Sequence, residues 1–231
     1  RWTDAGLGQV QVVGAAGGKA TAITQQAGHY ARPRFSPDGK TVVFEKDSGG
    51  YLTSPRGGGQ PGIYRVPASG GAMTRITDNG RSPQFGADND RLFVIEGDAK
   101  ESRLVSVDLN GEARRVHAKG ELVNDFRVSP DGQYLAYRQN YQAYVTPLLP
   151  GTQEVSLGTK SGALPVTKAS GDGADWIHWS GDGQRLYWTL GPTLFTAQRA
   201  AMFAAAPAAK DAKAPAYQPP SSGLSLSMKV T

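Results

Sequence analysis

The 231-residue sequence has no cysteine. That excludes disulfides, cysteine-zinc sites and thiol catalysis, and it leaves the redox compartment undetermined. It has no run of 18 apolar residues, so no membrane-spanning helix is expected. Histidine is limiting. Only His29, His117 and His178 occur, and no two are spaced i, i+2 or i, i+4, so a zinc site built from this chain is not predicted. No G-x-S-x-G elbow places a nucleophile. The glycine groups Gly57-Gly58-Gly59 and Gly70-Gly71 lack the Lys-Ser/Thr ending of a phosphate loop, and they are read as flexible connections. Lys and Arg (25) exceed Asp and Glu (20) by only five, and the arginines are scattered rather than gathered in a stripe. Nucleic acid is therefore not an expected partner. The sequence begins Arg1-Trp2-Thr3, without Met and without a signal-like apolar region, and reads as a mature or excised piece of something longer.

What the chain has in quantity is turn formers, 30 Gly and 15 Pro, placed between short strand-like runs. The stretch RFSPDGKTVVF (34–44) shows the pattern. Pro37 presets φ, Asp38 bonds its own following backbone, and Gly39 takes a left-handed conformation, so the flanks form a hairpin. Three further copies follow, QFGADNDRLFV (84–94), RVSPDGQYLAY (127–137) and HWSGDGQRLYW (178–188). Their turn aspartates, Asp38, Asp88, Asp131 and Asp182, are spaced by 50, 43 and 51 residues. In the second copy Asn89 stands where the others have glycine, which predicts the same positive φ there.

Each hairpin is followed by a third apolar run (Ile63–Val66, Leu104–Val107, Ala143–Val145, Leu194–Thr196) and in three copies by a turn and a fourth run. Four antiparallel strands per 40–50 residues is the pitch of a β-propeller blade. Residues 9–24 match only the third and fourth strands of such a unit, and the last unit, from Asp175, supplies strands one to three. The expected fold is all-β, a propeller of four-stranded antiparallel blades with about four to five blades in this chain, forming an arc of a larger ring. The blades occupy 1–198. An Ala- and Pro-rich linker or excursion covers 199–222, with a short helix near Ala200–Ala206 that has no obvious anchor. Residues 223–231 form an edge strand or a lead-in to a following domain.

The S-P-D-G hairpin with its I-Y-x-V-x-x-x-G-G continuation, best kept in FSPDGKTVVFEKD…GIYRVPASGGAMTRIT, resembles the repeat of TolB-like propellers. The stretches LAYRQNYQAYVTPLLPGTQ (135–153) and ALPVTKASGDGADWIHWSGDGQRLYWTLGPTLF (163–195), with the tail PPSSGLSLSMKVT, are similar to the propeller segment of bacterial secreted amidohydrolase-family proteins. The resemblance implies an envelope or extracellular setting and a catalytic domain beyond this chain. A divalent metal would belong only to that domain, since its His-x-His motif is absent here. The implied role is a scaffold or recognition segment rather than a catalytic one. Its partners would be its own downstream catalytic domain or other envelope proteins, with self-association where the ring is incomplete. A free-standing TolB-like interaction module and the propeller of a serine peptidase carry the same fold signal.

The repeated aspartates read as turn hardware, and Trp176, Trp179 and Trp188 as packing between adjacent sheets. Register singles out another set. Arg34, Gln84, Arg127 and His178 each precede an apolar anchor of the innermost strand. Arg32, Arg81, Asn124, Asp125 and Asp175 stand three or four residues before those anchors. The innermost strands of a propeller line its axial channel, so Arg32, Arg34, Gln84, Asp125, Arg127, Asp175 and His178 are the expected ligand or partner contacts there.

Overall fold

The computed structural model describes residues 7–48, 59–98, 100–151, 154–158, 164–203 and 216–227. Gly57, Gly58, the turn residue Thr152, the middle of the Ala- and Pro-rich segment and the chain from Met228 onward lie outside them. The chain divides into two compact units, one formed by 1–96 with 104–116, the other by 97–103 with 117–231.

In the first unit β1 (Gln11–Val12) and β2 (Thr21–Ala22) form an antiparallel pair. The first full blade is β3 (His29–Phe35), β4 (Thr41–Asp47), β5 (Gly62–Pro67) and β6 (Thr74–Thr77), hydrogen-bonded in chain order. The second is β7 (Arg81–Phe85), β8 (Arg91–Gly97), β9 (Glu101–Asp108) and β10 (Arg115–Glu121), and the division between the units falls along this sheet. The run Val42-Val43-Phe44 explains why these strands lack a polar face. Val42 and Phe44 pack with Val10, Ile23, Tyr64 and Val66, whereas Val43 joins Ile63, Leu92, Val94 and Val105 on the opposite side. A strand buried on both faces is apolar throughout rather than alternating.

In the second unit the third blade is β11 (Val123–Val128), β12 (Tyr134–Gln139) and β13 (Gln142–Pro147), completed after an intervening β14 (Val155–Leu157) by β15 (Thr167–Lys168). The fourth is β16 (Asp175–Trp179), β17 (Arg185–Leu190), β18 (Thr193–Gln198) and β19 (Leu224–Ser225). Between those blades Trp179 and Trp188 bury with Ala136, Ala143, Val145 and Leu186. The small residues of the third blade leave room for the two indoles of the fourth. β14 was not visible in the sequence. It pairs in parallel with Ala118–Gly120 of β10, covering an outer edge that would otherwise show unpaired backbone, and Lys119 bridges to Glu154 at 2.6 Å.

The four hairpin turns are not equal. In three of them the serine hydroxyl donates to the aspartate, Ser36 to Asp38 at 2.6 Å, Ser129 to Asp131 and Ser180 to Asp182 at 2.5 Å. The same carboxylates accept the backbone N–H of Lys40, Gln133 and Gln184. Gly39, Gly132 and Gly183 follow with φ of 71°, 70° and 68°. The second copy departs from expectation. Gly86 replaces the serine, and Asn89 does not enter the left-handed region. Its side-chain oxygen accepts the backbone N–H of Asp38 at 2.9 Å instead. Losing the serine–aspartate bond removes the reason for the tight turn, and Asn89 serves a neighbouring blade.

The segment after β18 is anchored. α1 (Arg199–Met202) buries Met202, whose carbonyl accepts from the Thr167 hydroxyl at 3.0 Å. Arg199 donates to Asp131 at 2.5 Å and lies 4.7 Å over the Tyr134 ring. Further along, the Tyr217 hydroxyl donates to the Ala169 carbonyl at 3.0 Å, and burial pushes its phenol up to about 12.

Candidate recognition surface

The innermost strands carry a repeated device. Pairing slips between Ala31 and Arg34 in β3, between Arg81 and Gln84 in β7, and between Asp175 and His178 in β16. Within each slip one residue is left-handed: Arg32 (φ 52°), Ser82 (53°) and Trp176 (51°), each three residues before Phe35, Phe85 or Trp179. β11 slips between Val123 and Asp125. A non-glycine residue in that conformation costs on the order of 1–2 kcal/mol, and a bulge redirects the side chain it carries. Recurrence in three blades makes the bulge a property of the fold. The side chain it displays is what differs.

In the first unit that side chain is neutralised. Arg32 donates to Glu45 at 2.5 Å, and the other oxygen of Glu45 accepts the backbone N–H of Ser82 on the neighbouring blade. Gln84 is buried, and Arg34 is exposed at the end of β3. In the second unit Arg127 lies 3.3 Å from Asp125 and donates to the Ile177 carbonyl, while the Trp179 indole donates to the Arg127 carbonyl at 2.9 Å. Arg138 of β12 donates to Asn124 at 2.7 Å and to Asp175. His178 is exposed on β16. The structure thus joins Arg127 to Asp125 and ties Asp175 to Arg138, a residue that register alone did not single out. Within each unit the expected contacts are largely spent on one another and on neighbouring backbone.

Beside the exposed Arg34 and His178, large apolar groups also face solvent. Trp176 is 82% exposed, not packed between sheets as its strand position suggested, whereas Trp179 is 3% exposed. Burial alternates along β16, with Ile177 and Trp179 facing the core and Trp176 and His178 facing solvent. Tyr141 in the β12–β13 turn is 76% exposed with φ 63°, Leu122 just before β11 is exposed with φ 55°, and Leu190 ends β17. All four stand at the same end of their blades, where first and third strands begin and second strands end. The Ala174 N–H donates to the Tyr141 carbonyl at 2.8 Å, which fixes the Trp176 segment against the Tyr141 turn. Large apolar groups held outward by rigid backbone are the usual material of an interaction surface. Among the described residues no group of three or more His, Cys, Asp or Glu is placed to hold a metal ion.

The comparisons with known proteins agree with this architecture. Residues 2–151 match the family model described as the TolB beta propeller domain. The chain belongs to that family. No curated protein matches the sequence. Among solved structures, the chain is similar to one in the crystal structure of a nidogen/laminin complex (TM-score 0.57, 16% identity, covering 83% of this chain and 68% of that one). It is also similar to TolB from Acinetobacter baumannii (TM-score 0.52, 13% identity, 81% of this chain and 45% of that one). A third is a puromycin-hydrolysing peptidase of Mycobacterium tuberculosis (TM-score 0.50, 17% identity, 83% and 34%). At these identities the likeness is one of fold. The TolB-type propeller described here spans less than half of the TolB and peptidase chains it matches. The fourth blade lies beyond the matched residues, yet it repeats the bulge and the Ser-Asp turn.

Proposed function

We propose that this TolB-type propeller is a non-catalytic recognition segment that holds a partner protein or a neighbouring domain on the blade ends carrying Leu122, Tyr141, Trp176 and Leu190. The observation that carries the reading is the outward display of Trp176 by a bulge that elsewhere displays an ion-paired Arg32. A left-handed, solvent-facing tryptophan adds nothing to the core and exposes apolar area that an isolated surface would not keep. In this reading residues 1–198 form the blades, 199–222 a linker or excursion, and 223–231 an edge strand or a lead-in to a following domain.

The parent is proposed to be a metal-dependent amidohydrolase of the envelope or extracellular space, with its metal and catalytic residues beyond this chain. The support is the resemblance of residues 135–153 and 163–195 to the propellers that accompany such domains. A His-x-His motif in the parent's coding sequence downstream of Thr231 is the expected finding. A serine hydrolase domain there would transfer the recognition role to a peptidase, and a stop codon would favour a free-standing interaction module.

The test of the surface is a photo-reactive amino acid placed at position 176 of the parent protein in its own cells. Crosslinks to one partner or domain are expected at 176 and not at Val13, an exposed apolar position of the first unit. Equal yields at both positions would refute the assignment.

A further inference from the structure

The pair β1–β2 is built in the register of β5–β6. Gln11 faces Ala22 and Val12 faces Thr21, as Tyr64 faces Arg75 and Arg65 faces Thr74. Gly17-Gly18 and Gly70-Gly71 turn the two pairs at positive φ, and Ile23 and Ile76 are both buried. What differs is the inner edge. β5 has β4 along it, paired from Thr41 to Lys46, whereas β1 has no strand there among the described residues. The Ile23 N–H donates to the Val10 carbonyl at 2.9 Å, so alternation turns the backbone groups of Gln11 and Val13 to the open edge. Residues 9–13 carry no charge and no proline to guard it. A pocket of about 210 Å³ separates residues 8–11 from Tyr30 and Pro33 of β3. Phe35, at the end of β3, is 52% exposed. Its counterparts are covered. Phe85 packs against the cluster that holds Val43 and Ile63 of the first blade, and Trp179 is buried with Ala136 and Val145 of the third.

We propose that the open edge of β1 takes a β-hairpin of this same repeat, two strands joined by a Ser-x-Asp-Gly-type turn, supplied by the parent protein from outside residues 1–231. Its second strand pairs antiparallel with β1 as β4 pairs with β5. In that register an apolar residue equivalent to Val43 lies opposite Val12 and covers Phe35. The residue equivalent to Glu45 enters the pocket and reaches the bulge at Arg32, as Glu45 reaches the Ser82 N–H. The occupant is specified by the register and by the unpaired backbone, which only another strand satisfies. A second copy of the chain is the poorer source, because its four hairpins are each already paired to a third strand. The parent is the better one, since this chain spans less than half of the TolB and peptidase chains it matches. The proposal does not rest on the blade-end surface. A photo-crosslinker at position 13 would join this hairpin, so its comparison with position 176 counts only crosslinks to segments outside the propeller.

The test follows amide hydrogen exchange. In the 231-residue chain the amides of Gln11 and Val13 are expected to exchange freely, and in the parent protein to be protected about tenfold or more. A synthetic copy of residues 29–47, the hairpin that fills the equivalent place in the next blade, should protect both amides of the 231-residue chain saturably. Val43→Asp in the probe, or Phe35→Ser in the chain, should weaken its binding about tenfold. Val13→Pro removes an N–H that faces away from β2 and should abolish binding. If that variant fails to fold by circular dichroism, Phe35→Ser, at an exposed side chain, carries the test. Freely exchanging Gln11 and Val13 amides in the parent would overturn the proposal. So would a probe that protects neither amide, or one that binds without regard to Val43 and Phe35. A 231-residue chain that dimerises by itself with both amides protected would give the edge to a second copy, and that too would overturn it.

Discussion

Glu45 and Arg138 occupy the same place in their repeats, seven residues after the turn aspartates Asp38 and Asp131, and each reaches the innermost strand of the following blade. One is an anion accepting the Ser82 N–H, the other a cation donating to Asp175. The position is a blade-to-blade staple whose geometry is kept while its charge is reversed. It persists because a bulge leaves polar groups of the next innermost strand without a ladder partner, and a long polar side chain one blade away can reach them.

Removal of the first staple is expected to cost more than removal of its surface partner. Glu45→Ala leaves the N–H of Ser82, a buried residue, without an acceptor and should lower stability by about 1–3 kcal/mol. Arg32→Ala, at a half-exposed ion pair, should cost about 0–1 kcal/mol. Urea denaturation of the two variants gives the order directly, and equal losses would contradict the staple.

The two tryptophans of β16 should separate cleanly. Trp179→Ala empties a core position and is expected to cost about 3–5 kcal/mol. Trp176→Ala should stay within about 0.5 kcal/mol, because its ring touches solvent. Thermal melts of both variants test the exposure on which the recognition surface depends.

Tyr137 is fully buried on β12, stacked on Tyr144 with centroids 5.4 Å apart, and its hydroxyl has no hydrogen-bond partner among the described residues. Burial, with the nearby Tyr144 adding to it, pushes its phenol far above the ordinary value. Replacing the group with hydrogen relieves a desolvated donor and keeps the ring, so Tyr137→Phe should leave stability unchanged or raise it by about 1 kcal/mol. A fall in melting temperature would show that the hydroxyl is satisfied.

Asp131 predicts a pH dependence. Burial alone would raise its pKa, but bonds from Ser129, Arg199 and the Gln133 N–H outweigh it and hold the carboxyl below the ordinary range. A group whose folded-state pKa is depressed stabilises the fold above its unfolded-state value, about 3.9. That contribution is lost as pH falls through the lower folded-state value. Unfolding followed between about pH 5 and pH 2 should therefore be less steeply pH-dependent in Asp131→Asn than in the parent chain. Identical slopes would exclude Asp131 as a contributor.

Two glycines should respond differently to alanine. Gly39 (φ 71°) has open space around its missing β-carbon and pays only the backbone term, about 1 kcal/mol. At Gly111 (φ 84°) a β-carbon would lie 2.0 Å from the Ile76 carbonyl oxygen, so Gly111→Ala must also displace β6. Chemical denaturation should show the larger loss at Gly111.

The sequence by itself determined the blades. Ser-Pro-Asp-Gly and its variants dictate tight turns by local bonding, and the apolar runs between them dictate strands buried on both faces. Both are short-range effects that residue type and spacing fully express. It also placed Arg32, Asp125, Arg127, Asp175 and their neighbours on innermost strands. Which of them would be consumed by other protein groups was a matter of tertiary structure, because Glu45, Arg138 and the Ile177 carbonyl arrive from other strands. Trp176 shows the limit most clearly. As an aromatic on a blade strand it was expected to pack between sheets, yet in β16 Ile177 and Trp179 face the core while Trp176 and His178 face solvent, a choice of face that only the packed blades decide. β14, and the anchor of the short helix expected after residue 199, were hidden for a related reason. Three residues such as Val-Ser-Leu, or a helix of four, carry too little local preference to form alone, and they exist here because an unpaired strand edge, Asp131 and the Met202 pocket hold them.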